Sequence, residues 1–163
     1  MSLSFEDATL VDLLHRASQS AEDEFARHAS EYNVTALQFA LLGTVARSQG
    51  LTQTAIGNAT GIDRSTVSEV VTRLVQRGLL SRRHTQRDRR AYLVRITPAG
   101  KVLLKNAELA QRNTEANLRA ALHPFEHTTF RQSLTSLISA MHASVNGRSF
   151  RVGHNGHPLR ESS

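Results

Sequence analysis

Residues 61–100 read GIDRSTVSEVVTRLVQRGLLSRRHTQRDRRAYLVRITPAG, and this stretch decides the expected fold. Apolar side chains recur at helical spacing after Asp63, which is well placed as an N-cap, and Gly78 ends this helical pattern. Two short segments of strand character follow, at 79–84 and 91–97, and they flank a polar, arginine-rich loop. The stretch therefore predicts a helix that can enter a DNA groove, followed by a two-stranded hairpin with a charged tip.

The residues before this stretch predict three further helices. Helical spacing of apolar residues indicates one long amphipathic helix over about residues 5–30. A second helix begins after the N-cap Thr35 and is closed by Gly50, and a short third helix begins after Thr52. At Gly61 the chain can reverse without the steric cost of a side chain. Two helices joined by such a tight turn form a helix-turn-helix.

The residues after the hairpin predict two more helices. Thr97–Pro98 starts a long helix through about Leu122, because proline is preorganised for the first helical position. His123–Pro124 interrupts it, and a final helix covers about residues 125–145. The chain after Gly147 has little apolar content and is expected to be a mobile tail. The predicted fold class is mainly α with a small β-hairpin wing (α+β).

Positive charge is concentrated around the predicted helix-turn-helix. Residues 51–97 contain nine arginines, no lysine and three acidic side chains, a net charge of +6. Residues 1–50 carry −4 and residues 98–163 carry +4, so the central segment alone equals the net charge of the whole chain. A cationic module beside an anionic segment indicates a polyanion partner for that module. The alternative is an ordinary solvated basic face.

Length and composition exclude several function classes. The 163 residues suffice for one domain with a core, and the chain has no cysteine, which excludes disulfides, thiolate metal ligands and thiol-based redox sensing. No glycine-rich phosphate loop, nucleophile elbow or paired catalytic carboxylates occur, so we expect no enzyme, no cofactor and no metal site. The acidic N-terminal region and the absence of a long apolar run predict a cytoplasmic protein without a membrane span.

Three motifs resemble the multiple-antibiotic-resistance regulator (MarR) family of bacterial transcription factors. They are residues 51–83, LTQTAIGNATGIDRSTVSEVVTRLVQRGLLSRR, then Asp88–Arg90, and then Val94–Gly100, VRITPAG. The resemblance covers about residues 10–145 and implies a homodimer in which the first and the last two helices of each chain interleave. The alternative is that the apolar stripes of these helices close a monomeric bundle.

The resemblance also implies a division of the chain by role. The first part would dimerise, the second would form the winged helix-turn-helix, the third would dimerise through two helices, and the last would be a flexible tail. The corresponding ranges are 1–34, 35–97, 98–146 and 147–163. A twofold dimer requires an inverted-repeat operator in double-stranded DNA, with half-sites about 34 Å apart, one turn of the DNA helix.

The recognition helix would carry short hydroxyls and two arginines to the major groove. We assign base reading to Ser65, Thr66, Ser68 and Arg73, with Arg64 and Thr72 as further contacts. At the start of the preceding helix, Thr52 and Gln53 are placed to contact phosphate, although either is equally well explained as part of a helix cap.

In the wing, Asp88 and Arg90 occupy the two positions of the acid-x-arginine motif of the family. The resemblance makes Arg90 the residue inserted into the minor groove and Asp88 the carboxylate that orients it. Arg87 and Arg89 lie beside the motif and are expected to contact phosphates. The alternative is a solvated hairpin with a local ion pair.

Family members commonly bind small anionic or aromatic molecules in a cleft between the dimer helices and the winged domain. By resemblance, His15 and Arg16 on the first helix and Gln38 and Phe39 on the second are the candidate effector-binding residues. A cation or an imidazole beside an aromatic ring can hold a carboxylate or a phenol, so an aromatic acid or its coenzyme A thioester is the expected ligand class. The alternative places Phe39 in the core and Arg16 on a solvated face.

The function that these observations predict is a sequence-specific transcriptional regulator, a repressor released by a small molecule. One alternative is an architectural protein that binds DNA without a preferred sequence. Another is a winged-helix module used for protein contacts, which would need an apolar outward helix face, whereas Ser, Thr and Arg lie outward here.

Overall fold

The computed structural model describes residues 5–84, 92–123 and 126–145, with side chains in the last segment as far as Met141. The chain divides into two units, Met1–Leu118 and Arg119–Ser163. Its helices and strands are α1 (Leu10–Ala29), α2 (Ala36–Ala46), α3 (Gln53–Thr60), α4 (Arg64–Gln76), β1 (Leu80–His84), β2 (Tyr92–Ile96), α5 (Pro98–Ala120) and α6 (Glu126–Val145), with a 3-10 turn at Ser30–Tyr32. The predicted fold class, mainly α with a β-hairpin, is confirmed.

Helices α1 and α2 each begin with a capping box, in which an N-cap hydroxyl and the side chain of the third helical residue each accept the other's backbone amide hydrogen. The pairs are Thr9 with Asp12 and Thr35 with Gln38. The predicted start of the first helix near residue 5 is therefore wrong, because Thr9 fixes the helix start at the next residue. Residues 5–8 lie outside the helix.

The predicted end of the second helix at Gly50 is also wrong. Helix α2 ends at Ala46, and the backbone amide of Arg47 donates to the carbonyl oxygens of Gly43 and Val45. The Ser48 hydroxyl donates to the carbonyl oxygen of Val45 and accepts from the backbone amide of Gly50. The last carbonyl groups of a helix have no partner within the helix, and here the Ser48 hydroxyl supplies one. The helix therefore ends before it reaches Gly50.

One apolar cluster holds the first unit together. Helices α1 to α5 and strands β1 and β2 all contribute to it. Its largest fully buried side chains are Phe25, Leu41, Leu42, Ile56, Leu74, Leu80, Val45, Val67, Val71 and Val94. Burial of each such side chain contributes about 1.5–3 kcal/mol relative to exposure, so this cluster is the main source of the fold's stability.

The two strands form an antiparallel hairpin in which Leu80 pairs with Ile96 and His84 pairs with Tyr92. Leu51, in the connection between α2 and α3, forms two further backbone hydrogen bonds with Val94, of 3.0 and 2.8 Å. The chain that enters the helix-turn-helix is thereby joined to the base of the hairpin.

A polar link connects α1 to α5 within the first unit. The buried Glu24 carboxylate accepts a 2.6 Å hydrogen bond from the Asn117 amide and lies 3.0 Å from Nε2 of His28. Arg27 also pairs with Glu24. A buried carboxylate needs such partners, since an unpaired one would be costly.

The second unit, considered by itself, contains the end of α5 and all of α6. Helix α5 ends at Ala120, slightly before the predicted Leu122, and Nε2 of His127 lies 2.7 Å from the carbonyl oxygen of Arg119. The predicted interruption is confirmed at His123, because residues 121–123 lie outside both helices. Helix α6 starts at Glu126, and Pro124 lies outside the described residues. Among the described helices, none is both long and apolar enough to cross a membrane.

Gly100 allows the start of α5 to pack closely against Leu79, the residue just before β1. The Thr97 hydroxyl caps α5 by accepting from the Gly100 amide at 3.0 Å, and it donates to the carbonyl oxygen of Gly78 at 2.7 Å. A Cβ atom on Gly100 would lie 2.2 Å from the carbonyl oxygen of Leu79 and 2.8 Å from Cγ1 of Ile96. The close approach therefore requires glycine at this position.

We expect Gly100→Ala to lower the free energy of unfolding by about 1–3 kcal/mol, because the added methyl group meets a backbone atom that cannot move independently. The free energy of unfolding is measured by urea denaturation monitored by circular dichroism. The matched control is Gly43→Ala in α2, where the nearest atom to the added Cβ is Nη1 of Arg47 at 3.5 Å. There we expect no loss and a gain of up to about 1 kcal/mol from helix propensity. Equal losses in the two variants would contradict this account.

Candidate nucleic-acid interface

Helix α4 has one apolar and one polar face. Val67, Val71 and Leu74 are fully buried and Val70 is nearly so, while Val75, predicted to join them, is half-buried. The opposite face carries short hydroxyls, charged groups and one amide: Arg64, Ser65, Thr66, Ser68, Glu69, Thr72, Arg73 and Gln76. Since most of these side chains are short or flexible, the helix can lie close to a groove floor.

Asp63 caps α4, as predicted. Its carboxylate accepts from the backbone amides of Ser65 at 2.9 Å and Thr66 at 3.0 Å, and the Ser65 hydroxyl donates to the same oxygen. The hydrogen bonds from the side chains of Ser65 and Thr66, the largest causes, hold the pKa of Asp63 well below its usual range. The carboxylate thus stays ionised at the positive end of the helix dipole.

The helix before it, α3, is capped by Thr52, whose hydroxyl accepts from the backbone amide of Ala55 at 3.1 Å. The cap interpretation of Thr52 is confirmed. Gln53 is the first residue of α3 and is half-buried. The turn between α3 and α4 contains Gly61 at φ 71°, in the left-handed region that glycine favours, as the sequence predicted.

The Thr72 hydroxyl is engaged inside the protein. It donates to the carbonyl oxygen of Ser68 at 2.7 Å and accepts from Nη2 of Arg82 at 2.7 Å. Thr72 is half-buried, whereas Arg82 on β1 is exposed. Thr72 therefore joins the recognition helix to the hairpin and places a guanidinium beside it.

Arg73 is also held by a neighbour on its own helix. Its Nη2 lies 2.5 Å from Oε1 of Glu69, one turn earlier, and both side chains are about 60% exposed, 63% for Arg73 and 60% for Glu69. The guanidinium is therefore ordered on the outward face without being buried.

An open groove of about 710 Å³ lies between α1, α2 and α4. Glu22 and Asp23 of α1 line one side, and Arg73 of α4 and Arg77, the residue that caps the end of α4, line the other. Gln38 also lines it, and its Oε1 accepts a 3.2 Å hydrogen bond from Nη1 of Arg77. The groove is thus bordered by charges of both signs.

The four predicted effector residues do not share this groove. Of the residues that the structure describes, the groove lining includes Gln38 but not His15, Arg16 or Phe39. His15 and Arg16 are exposed on α1, and the Arg16 guanidinium lies 5.5 Å from the centre of the Phe5 ring. Phe39 packs against the core, with its ring centre 5.4 Å from that of Phe25. Phe39 is thus half-buried at the edge of the core, which supports its alternative placement and leaves part of the ring accessible.

Comparison with known proteins identifies the family. The sequence model of the MarR family matches residues 32–91. A Thauera aromatica protein, whose name assigns it to transcriptional regulation of the hcr operon, is 32% identical over 117 residues, covering 71% of this chain and 70% of that relative. The chain belongs to the MarR family.

Two solved structures are similar to this MarR-family chain over most of its length. The PcaV transcriptional regulator of Streptomyces coelicolor, in complex with its natural ligand, is 27% identical with a TM-score of 0.77, covering 86% of this chain and 99% of PcaV. BpsR of Bordetella bronchiseptica, whose DNA binding is regulated by 6-hydroxynicotinic acid, is 27% identical with a TM-score of 0.75, covering 83% and 97%. The chain is accordingly a transcriptional regulator of the MarR family.

The wing residues of this MarR-family chain, Arg87, Asp88, Arg89 and Arg90, lie outside the described residues. The strands that flank the loop are described: β1 ends at His84, and β2 begins at Tyr92. The rings of His84 and Tyr92 have centres 4.2 Å apart, and their planes are tilted by 39°. The roles of the four loop residues stay predictions.

Sequence reasoning missed two residues, one on the recognition helix and one beside it. Glu69 was assigned no role, although it is the acidic residue among the outward side chains of α4. Arg82 entered only as part of the charge excess. It pairs across the hairpin with the buried Val94, and cross-strand partners lie on the same face of a sheet. Side chains alternate between the two faces of the hairpin, and the buried Val94 marks the face that is directed at the core. Once the register of the strands is known, this alternation places Arg82 on the same face, toward α4.

The Asp63 cap makes the stability of the MarR-family chain depend on pH. Because its folded pKa is lowered, the ionised carboxylate stabilises the fold above the unfolded pKa of about 3.9, and this contribution is lost as the pH falls below that value. We expect Asp63→Asn to be less stable than the wild type at pH 7 and to approach it near pH 3. The measurement is the free energy of unfolding at both pH values.

Asp63→Ala is the matched control, because alanine removes the cap oxygen as well as the charge. It should be less stable than Asp63→Asn at pH 7. A gap between wild type and Asp63→Asn that stays constant from pH 7 to pH 3 would contradict the proposed titration.

Proposed function

We propose that the chain is a sequence-specific repressor that binds an inverted-repeat operator as a homodimer and leaves DNA when it binds a small molecule. The observation that carries this proposal is the polarity of α4. One face is fixed in the core, and the other presents hydroxyls and guanidinium groups. Phosphate contacts would fix the register of the helix on DNA, and contacts to base edges would supply the choice of sequence.

The base-reading residues in this proposal are Ser65, Thr66, Ser68 and Arg73. The hydroxyl of Ser65 would act as an acceptor, because its hydrogen is already donated to Asp63. Arg64, exposed on the first turn of α4, is a further contact. Gln53 contacts phosphate, and so does Thr52, whose hydroxyl can donate to phosphate while it accepts from the Ala55 amide as the cap of α3. Thr72 contributes mainly through Arg82, because its hydroxyl already has partners within the protein. These residues lie on a face without large apolar side chains, which disfavours a repurposed protein-binding module.

Homodimer formation is supported by apolar side chains that a single chain leaves exposed. On α1, Leu10 is 63% and Val11 is 75% exposed, and on α5, Leu109 is 57% exposed. Within the second unit, Phe130, Ile138 and Met141 on α6 are exposed as well. Contiguous apolar helix faces are typical of surfaces that a partner covers.

The proposal assigns Arg90 to the minor groove, with Asp88 orienting it, and Arg87 and Arg89 to phosphates. An arginine on a loop tip suits a narrow A·T groove, where negative potential is concentrated. The two strands that carry this loop are also cationic, with Arg82, Arg83 and Arg95 exposed on them.

We expect Arg90→Ala to weaken operator binding by about tenfold or more while the dimer stays intact. The operator is first located by footprinting on the DNA upstream of the protein's own gene, and affinities are then measured by gel-shift titration at fixed salt. Arg87→Ala is the control, and it should weaken operator and unrelated DNA to a similar degree. Unchanged operator affinity in Arg90→Ala would overturn the wing assignment.

The same titration separates a regulator from an architectural protein. A regulator should prefer its operator over unrelated DNA by a factor on the order of 10³ or more at physiological salt. An architectural protein would bind both DNAs with similar affinity.

The small-molecule response is proposed from the relatives' ligands and from the polar groups of α1. PcaV was solved with its natural ligand, and BpsR responds to 6-hydroxynicotinic acid. His15 and Arg16 lie on a part of α1 that is exposed in the single chain, and a second copy would close this surface into a pocket. Gln38 and Phe39 complete the proposed effector-binding set. A carboxylate would pair with the Arg16 guanidinium.

We expect an aromatic acid, with 6-hydroxynicotinic acid as first probe, or a coenzyme A thioester of such an acid, to raise the melting temperature. At a concentration one hundred times Kd, the rise should be about 5–10 °C. Arg16→Ala should abolish it, and Arg73→Ala, which removes a cation from the groove between α1, α2 and α4 without removing the partner of Gln38, should retain it. The reverse result would move the effector site to that groove. No stabilisation by any such compound would overturn the ligand response.

A further inference from the structure

We propose that Glu69 is a specificity-determining residue: its carboxylate positions the Arg73 guanidinium for base reading and cancels the charge with which Arg73 would bind phosphates of any sequence. This inference rests on the proposed operator binding. It concerns a residue that the DNA-contact assignment leaves without a role.

The geometry of the pair is the first support. Glu69 and Arg73 are one helical turn apart, and Oε1 of Glu69 lies 2.5 Å from Nη2 of Arg73. This spacing places the two side chains on the same strip of the helix surface. The strip is the outward one, because the residues between them, Val70 and Val71, are buried.

The exposure of the pair argues against a large contribution to folding. Both side chains are about 60% exposed, 63% for Arg73 and 60% for Glu69. Exposed ion pairs contribute little to stability, because water screens them and ordering two long side chains costs entropy. A carboxylate on a face directed at a polyanion also opposes association unless it is paired with a cation.

The surroundings of Arg73 supply the second support. Arg73 lines the groove between α1, α2 and α4 together with Glu22 and Asp23. The carboxylates of these two residues could attract the Arg73 guanidinium into the groove, away from the outward face. The bond to Glu69 holds Arg73 on its own helix, with the remaining guanidinium donors available to acceptors such as those of guanine.

The pair also changes the sequence-independent part of the affinity. A lone arginine releases counterions when it binds any phosphate, which strengthens binding to all DNA. Paired with Glu69, Arg73 adds no net charge to the helix. Binding to unrelated DNA is thereby weakened more than binding to a site where the guanidinium meets its base.

The test compares operator and unrelated DNA for Glu69→Gln and for the wild type, by titration at several salt concentrations. We expect Glu69→Gln to bind unrelated DNA more tightly, with a salt dependence steeper by about one unit. The ratio of operator to unrelated affinity should fall about fivefold or more. Glu108→Gln, which changes the same charge at an exposed site on α5, is the matched control and should leave the ratio unchanged. Gel filtration confirms that both variants keep the wild-type mass.

A double variant separates positioning from direct reading by Glu69. In the Arg73→Ala background, Glu69→Gln should leave the ratio unchanged, because the guanidinium that it positions is gone. A wild-type ratio in Glu69→Gln, or an equal fall with and without Arg73, would overturn the role of Glu69 and leave operator binding standing. A wild-type chain without operator preference would overturn both proposals.

Discussion

Burial of the aliphatic stripe of α4 is the constraint on which the rest of the structure depends. Val67, Val71 and Leu74 lie in the same apolar cluster as side chains from α1, α2, α3, α5 and the hairpin. Removing these groups from water fixes the rotation of α4 about its own axis, since any other rotation would expose them. The rotation in turn decides which side chains are directed outward.

The outward face is ordered before any ligand arrives. The hydroxyls of Ser65 and Thr72 and the guanidinium of Arg73 each have a partner within the protein. Ordering side chains in advance lowers the entropy cost of association, because fewer rotamers are lost on binding. Each partner also occupies part of the hydrogen-bonding capacity of its group. The outward face therefore offers DNA fewer free donors and acceptors than its amino-acid composition suggests.

Several elements were predictable because their signals are local. The caps Thr35, Thr52 and Asp63 and the turn at Gly61 depend on residues within three positions, and all were predicted correctly. The same local reasoning was wrong at Gly50, where a hydroxyl two residues earlier satisfies the helix end first. When a serine and a glycine can both end a helix, the sequence does not show which one does, because the outcome depends on which group reaches the free carbonyl oxygens.

The sequence by itself determined the family, the fold class and the outward composition of α4, because periodicity and short motifs encode which face of a helix is apolar. Only the tertiary structure decided that Arg82 meets Thr72, that Phe39 packs on Phe25, and that His15 and Arg16 do not line the groove bordered by Gln38. These relations join residues far apart in sequence. They depend on strand register and on how helices pack, which a one-dimensional pattern does not specify.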